Sequence, residues 1–217
     1  DDTVCFIGRR DPLRSALLAG VARAGLPLVL HGAGWNEAAS APRQPAPSPG
    51  WQARIADWTD FYRRQGPGPT WRRFAGRGRD RVPGETFDFA PWTRPAPDED
   101  GYARLTAQSA VTLGINRYPA PFAPAGTTPT YSRLRDIEAP MLGACYLTEW
   151  APELPHLYEL GREIEVYRDE TELLEHARAL LADPARRIRL RHAGLRRAQN
   201  DHSVGASLQK IARRLSL

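Results

Sequence analysis

Two kinds of residue in this chain stand where chemistry could occur: arginines beside glycine turns, and a glutamate at a helix-to-strand corner. The corner lies in YSRLRDIEAPMLGACYLTEW, residues 131–150. Glu138 precedes a small-residue segment, 139–144, with Arg133 and Arg135 just upstream and Glu149 beyond the apolar stretch 145–147. A carboxylate at such a corner can accept two hydroxyl donors, as acids do when they hold a ribose diol. The competing reading makes Glu138 an ion-pair partner of Arg133 or Arg135. A second group, Gly8, Arg9 and Arg10 with Arg14, joins a glycine turn to guanidinium groups at a helix start, which suits a diphosphate. Its alternative is a solvated helix start, because the motif is not GxGxxG and lacks the P-loop lysine. Asn116 and Arg117 end the apolar run VTLGINRY and reach the same edge.

Catalytic constellations are sparse. His31, closing LPLVLH, is the one candidate for a catalytic group, set against an ordinary strand-end histidine. His202, in NDHSVG, reads as a cap or cross-link. GxSxG, a Ser-His-Asp arrangement and a paired-carboxylate site are not recognisable. Cysteine and histidine spacing gives no support for zinc, and Cys5 and Cys145, both inside apolar runs, read as small core residues.

The elements that must position these residues follow from periodicity. TVCFIG is a short strand ending in Gly8. Leu13, Leu17, Leu18 and Val21 recur at helical spacing, Gly25 supplies the stop, and LPLVLHG is the next strand. This βαβ opening predicts a parallel sheet with right-handed crossovers, its strand ends and helix starts sharing one edge. The same grammar resumes at Tyr102: YARLTAQSA a helix, VTLGINRY a strand, LRDIEAPML a helix, ACYLTEW a strand, PHLYELG a short helix or turn, and EIEVYRD a strand. Amphipathic helices close the chain, with Pro184 at a helix start. Between these blocks, residues 36–101 are rich in proline, glycine and tryptophan and read as an irregular insertion. Its one helix, WQARIADWTDFYRRQ, sets Trp51, Ile55, Trp58 and Tyr62 on one stripe, expected to pack on the main domain rather than to face a partner.

Bulk properties bound the rest. The 217 residues suffice for one sizeable core. The net charge is +5 and Lys210 is the only lysine, so the basicity reflects an arginine-rich composition plus a site for an anionic small molecule rather than nucleic-acid binding. No apolar run spans a membrane and no secretion signal is visible, so a cytoplasmic location is expected. The chain opens on Asp1 and Asp2 rather than Met, as a fragment or processed form would.

The succession SRLRDIEAPMLGACYLTEWAPEL, YELGREIEVYRDETELLEHARALLADPARR, HAG and DHS resembles the C-terminal half of GT-B glycosyltransferases, more narrowly the bacterial CgeB-type enzymes and related family 1 and family 4 relatives. Glu138 and Ala139 with Gly143 and Ala144 look like that family's E-A-x-A-C-G-x-P corner, a Gly-Ala pair replacing Gly-Pro. Leu160 to Glu163 with Tyr167 and Asp169 looks like its G-x-E…Y-x-D segment, and VCFIGRRDPLRSALLAGVARAGLPLVLHGAGW like its domain opening. The resemblance covers residues 3–35 and 102–205 and implies a Rossmann-like α/β domain that binds a nucleotide-diphosphate sugar, with no cofactor and no metal. Glu138 would hold the ribose; Gly8, Arg9 and Arg14 would face the diphosphate; Asn116, Arg117, Tyr131, Ser132 and Arg133 would line nucleotide and sugar. The acceptor, a glycan, protein or lipid, is unspecified, its N-terminal domain is expected to be absent, and a homodimer is compatible. Thr130 stands where family 4 enzymes carry the first glutamate of E-x7-E, so stereochemistry is left unassigned. The alternative is a degenerate, non-catalytic Rossmann module that binds a nucleotide or a protein partner through the tryptophan-rich insertion.

Overall fold

Apolar runs rich in β-branched and aromatic residues favour strands buried on both faces, and in the computed structural model they lie side by side. The structure describes residues 2–36, 51–68, 70–71, 87–118 and 128–215. Its strands are β1 (Val4–Ile7), β2 (Leu28–His31), β3 (Thr93–Arg94), β4 (Val111–Gly114), β5 (Tyr146–Glu149) and β6 (Glu165–Tyr167). They form one six-stranded sheet in the order β3-β2-β1-β4-β5-β6, and every adjacent pair is parallel. The chain runs outward from β1 through β2 to β3, then returns to start again at β4. Connections therefore leave β1 and β4 in opposite directions, which opens a crevice at the carboxyl ends of those two strands.

The helices are α1 (Pro12–Arg23), α2 (Trp51–Gln65), α3 (Glu99–Gln108), α4 (Arg135–Met141), α5 (Leu154–Leu157), α6 (Glu170–Ala182), α7 (Pro184–Arg197) and α8 (Val204–Arg214). Asp11 caps α1 by accepting the Arg14 amide, Pro12 fills the first turn, and Gly25 follows the helix at φ 71°. The main core packs Val4, Phe6, Leu30, Val111, Leu113 and Leu147 of the sheet against Leu17, Leu18 and Val21 of α1 and Leu173, Ala177 and Leu180 of α6. A second cluster joins Ala139 of α4 and Tyr146 of β5 to Leu154, Tyr158, Ile164 and Val166. Cys5 and Cys145 are buried free thiols within the sheet region. His202 links elements as expected, its Nε2 lying 2.9 Å from the Leu157 carbonyl and its ring edge-on to Tyr158.

The segment read as an irregular insertion is corrected by the structure at its C-terminal end. Residues 93–94 form β3, the edge strand, and Trp35, Phe89 and Phe87 stack in series against the core. Prolines at 91 and 95 bracket this two-residue strand and hide it from pattern reading, yet an edge strand tolerates them. The expected packing of the α2 stripe is overturned for three of its four residues, Trp58 being partly buried. Trp51 is 70%, Ile55 57% and Tyr62 52% exposed, because helical spacing defines a face but not the surface that covers it. Residues 37–50 and 72–86 of the segment lie outside the described residues.

Beneath the amino edge of the sheet, α7 carries arginines that reach the carbonyl ends of four helices. Arg191 donates to Ala107 and Ser109 at the end of α3 and to Gly143 after α4. Arg187 donates to Leu180 and Leu181 in α6, and Arg197 to Leu157 of α5. Cations at helix C-termini satisfy orphan carbonyls and oppose the helix dipole. Much of the positive charge of the C-terminal region is thus structural. No described helix is long and apolar enough to cross a membrane.

Candidate functional site

At the carboxyl end of β1 the backbone turns through Gly8, and neighbouring groups lock the turn. The Gly8 amide donates to the His31 carbonyl at 2.8 Å, while the Trp35 indole donates to the Gly8 carbonyl at 2.7 Å. Gly32, at φ 127°, passes so close that a Cβ there would lie 2.4 Å from the Gly8 oxygen. Only glycine fits that conformation and that space. A Cβ on Gly8 itself would meet the Phe6 ring at 2.9 Å and Nη1 of Arg135 at 3.6 Å.

Guanidinium groups gather around this turn. Arg14 and Arg135 both lie over the Phe6 ring, at 5.7 and 5.6 Å from its centroid. Arg14 also pairs with Asp11 at 3.0 Å and donates to the Arg9 carbonyl. Burial pulls the Arg14 pKa below its ordinary value; Asp11 opposes this, while the charges of Arg133 and Arg135 add to it. Arg133 lies over the Tyr131 ring and donates through Nη2 to the Arg117 carbonyl. The Nε atoms of Arg133 and Arg135 are buried without a hydrogen-bond partner. Arg9 is exposed, and Arg10 turns away toward the Phe87 carbonyl and the Phe89 ring.

Two buried carboxylates hold the loops on the far side of the crevice. Asp136, fully buried in the first turn of α4, accepts from the hydroxyls of Tyr146 (2.7 Å), Thr148 (3.0 Å) and Ser132 (3.0 Å), from the Arg133 amide (2.8 Å) and from the Asn116 side chain (3.1 Å). Glu149, at the end of β5, accepts from the backbone amides of Asn116 and Arg117 and from the Arg117 guanidinium at 2.8 and 2.7 Å. Burial lowers the Arg117 pKa, but the bond to and charge of Glu149 outweigh it and raise the group overall. Asn116 is 1% exposed, with its amide committed to Asp136 and the Glu149 carbonyl. It belongs to the scaffold rather than to the lining that the sequence suggested. Ser132 is likewise a partner of Asp136 and Glu153. Tyr131 is exposed and stacks edge-on against Tyr118.

Glu138, two residues beyond Asp136, makes a different set of contacts. It is half-buried, its Oε2 lies 3.5 Å from the Tyr102 hydroxyl of α3, and neither Arg133 nor Arg135 pairs with it. The ion-pair alternative for Glu138 is therefore absent among the described residues. An acid with one long contact at the crevice edge keeps its acceptor capacity for a ligand. His31 sits one strand away, 7% exposed, its Nδ1 held 2.7 Å from the Pro95 carbonyl and its Nε2 buried without a partner.

The structure thus brings Gly8, Arg14, Arg133 and Glu138 to one edge and adds Arg135 and Tyr102, which sequence reading did not assign. Helical spacing puts Asp136 and Glu138 on different faces but does not say which one turns inward; the neighbouring strand β5 takes the first. A cleft of 580 Å³ at the carboxyl ends of β4 to β6 lies next to Arg117, Thr130, Trp150 and Arg168 and is closed on one side by Ala16 and Leu17 of α1. Two clefts along α7, of 490 and 310 Å³, lie away from this edge and contain no buried unpartnered donor. No group of three or more metal-ligating side chains occurs among the described residues.

Comparison with solved structures shows where else this architecture occurs. The whole chain superposes on 49% of Anabaena Alr3699/HepE in complex with UDP, at a TM-score of 0.57 and 14% identity. The UDP-glucose complex of the same protein gives 0.56 and 15%. Sucrose-phosphate synthase from Thermosynechococcus elongatus matches over 99% of this chain and 46% of its own, at 0.55 and 16% identity. At these identities the likeness establishes the fold, and the chain spans about half the length of each of these structures. No curated protein sequence matches it. The glycosyl transferase-like family matches residues 67–213, well over half of the chain and the part that carries the crevice from β3 onward. On that match the chain belongs to the glycosyl transferase-like family.

Proposed function

We propose that this chain is the donor-binding half of a GT-B glycosyltransferase of the CgeB type, holding a nucleotide-diphosphate sugar for transfer to an acceptor. One observation carries the reading: an acid without an ion-pair partner, Glu138, faces the same strand-order reversal as a cluster of arginines around Gly8. A nucleoside diphosphate has hydroxyls for the first and negative charge for the second. Glu138 accepts from the ribose diol beside Tyr102. The Gly8 turn and Arg14 receive the diphosphate, and Arg133 with Tyr131 borders the sugar. Arginine side chains offset the charge that develops on the leaving diphosphate, so the scheme routes no step through a metal. UDP-linked donors are the first to try, since Alr3699/HepE has been captured with UDP and with UDP-glucose.

The test is a thermal-shift screen against UDP, GDP, ADP and dTDP, repeated with Glu138→Ala. A ligand at 100 times its Kd stabilises the native state by about 2.7 kcal/mol. One nucleotide should raise the melting temperature of the wild type, and the glutamate variant should bind it about 10- to 100-fold more weakly, the worth of hydrogen bonds to a charged acceptor. Wild-type protein indifferent to all four nucleotides sinks the proposal.

A second reading is favoured by the exposed face of α2. A non-catalytic nucleotide-binding module would use Trp51, Ile55 and Tyr62 as its contact surface for a protein partner. Hydrolysis of a nucleotide sugar by a longer form of the protein, lost on Glu138→Ala with folding intact, excludes it.

A further inference from the structure

We propose that Arg135 is the residue by which this site distinguishes a diphosphate from a monophosphate. The inference rests on the donor-site reading above and assigns a role to a side chain that the reading leaves unused. Its neighbours have partners for part of their charge, although Arg133 keeps an unpartnered Nε of its own. Asp11 meets the charge of Arg14 at 3.0 Å and Glu149 that of Arg117 at 2.7 Å, while Arg133 donates through Nη2 to the Arg117 carbonyl. Arg135 has no carboxylate within ion-pair distance among the described residues, and its Nε is buried without a hydrogen-bond partner. Arg135 lies over the face of Phe6, the ring that Arg14 shares.

Taking a guanidinium partly out of water with no counter-charge costs solvation that a cation–π contact returns only in part. The cost is larger here because Arg14 and Arg133 crowd the same space with like charge. Such an arrangement is stable in company with an anion. Arg135 also borders the turn where that anion would lie: its Nη1 stands 3.6 Å from the point a Cβ on Gly8 would occupy, beside the Phe6 ring, which lies 2.9 Å from that point. A single phosphate at the Gly8 turn is within the province of Arg14, whose charge Asp11 has already partly met. The second phosphate supplies the additional charge, and Arg135 is the cation left to receive it through its planar fork. Asp136, the next residue, is locked by five donors, so the backbone from which Arg135 projects is fixed.

The experiment is calorimetric titration of the 217-residue chain with the tightest-binding nucleotide among UDP, GDP, ADP and dTDP, and with the monophosphate of the same base. Wild type, Arg135→Gln, Arg135→Lys and the exposed control Arg189→Ala are compared, each checked for an unchanged melting curve. Arg135→Gln should weaken the diphosphate about 10- to 100-fold and the monophosphate less than about threefold. Arg135→Lys, which keeps the charge without the fork, should show the same selective loss at smaller size and serves if the glutamine variant does not fold. Arg189→Ala should change neither ligand. Equal losses for both nucleotides, or an unchanged diphosphate affinity, overturn the role of Arg135 alone. Wild-type protein that binds no diphosphate overturns this inference together with the donor-site reading.

Discussion

At the residue scale, the groups facing the crevice depend on groups that do not. Asp136, itself fully buried, accepts from the hydroxyls of two β5 residues and a loop serine, from the Arg133 amide and from the Asn116 side chain. Removing its carboxylate leaves several buried donors unsatisfied, and each such group costs about 1–3 kcal/mol. Asp136→Ala should therefore destabilise the fold by about 3 kcal/mol or more in urea denaturation; a loss below about 1 kcal/mol contradicts the hub. Sequence reading singled out Glu138 because an acid at a helix-to-strand corner is visible in the chain itself. It did not find Asp136, and it placed Asn116 on the ligand, because which of two nearby acids turns inward is settled by the neighbouring strand.

Buried titratable groups add a pH dependence at the same scale. Burial, the largest cause, raises the Cys145 thiol from 9.0 to about 11, and burial also pushes the Tyr146 and Tyr167 hydroxyls well above their ordinary value. A group raised in the folded state is ionised first in the unfolded chain. Its stabilisation is complete below pH 9 and is lost as pH rises toward 11. Unfolding free energy should fall by about 1.4 kcal/mol per pH unit for the thiol across that window. Cys145→Ala should flatten the slope between pH 9 and 11 in equilibrium unfolding, and an unaltered slope there would contradict the assignment.

At the element scale, α7 explains charge that composition alone could not place. The arginine excess is compatible with an anionic ligand, but Arg187, Arg191 and Arg197 terminate helices at the opposite end of the sheet. Burial lowers the Arg191 pKa, as desolvation does to a cation. Arg191→Ala should cost about 2–3 kcal/mol by orphaning carbonyls of two helix ends, whereas the exposed Arg189→Ala should stay within about 0.5 kcal/mol. Comparable effects of the two in chemical denaturation would mean that α7 does not clamp the helices. Strand β3 shows the limit of pattern reading for elements. With only two residues it has no alternation to detect, and it exists because β2 offers an unpaired edge and Phe89 a buried anchor. The α2 face shows the converse: its period was legible, while its exposure was not.

At the scale of the whole molecule, alternation of apolar runs and amphipathic segments was enough to give a parallel sheet and to place Gly8, Asn116 and the Glu138 corner on one edge. What it could not supply was the order of the strands. That order puts β4 beside β1, sets the arginines of α1 and α4 across a single phenylalanine, and leaves Glu138 next to Tyr102. The chain spans about half the length of the solved structures it resembles. The donor site proposed for the crevice is tested most directly by seeing a donor in it. The structure of the chain with its tightest-binding nucleoside diphosphate should show the ribose hydroxyls against Glu138 and the phosphates at the Gly8 turn among the arginines. A nucleotide seated in either cleft along α7, or a ribose remote from Glu138, would contradict the donor site.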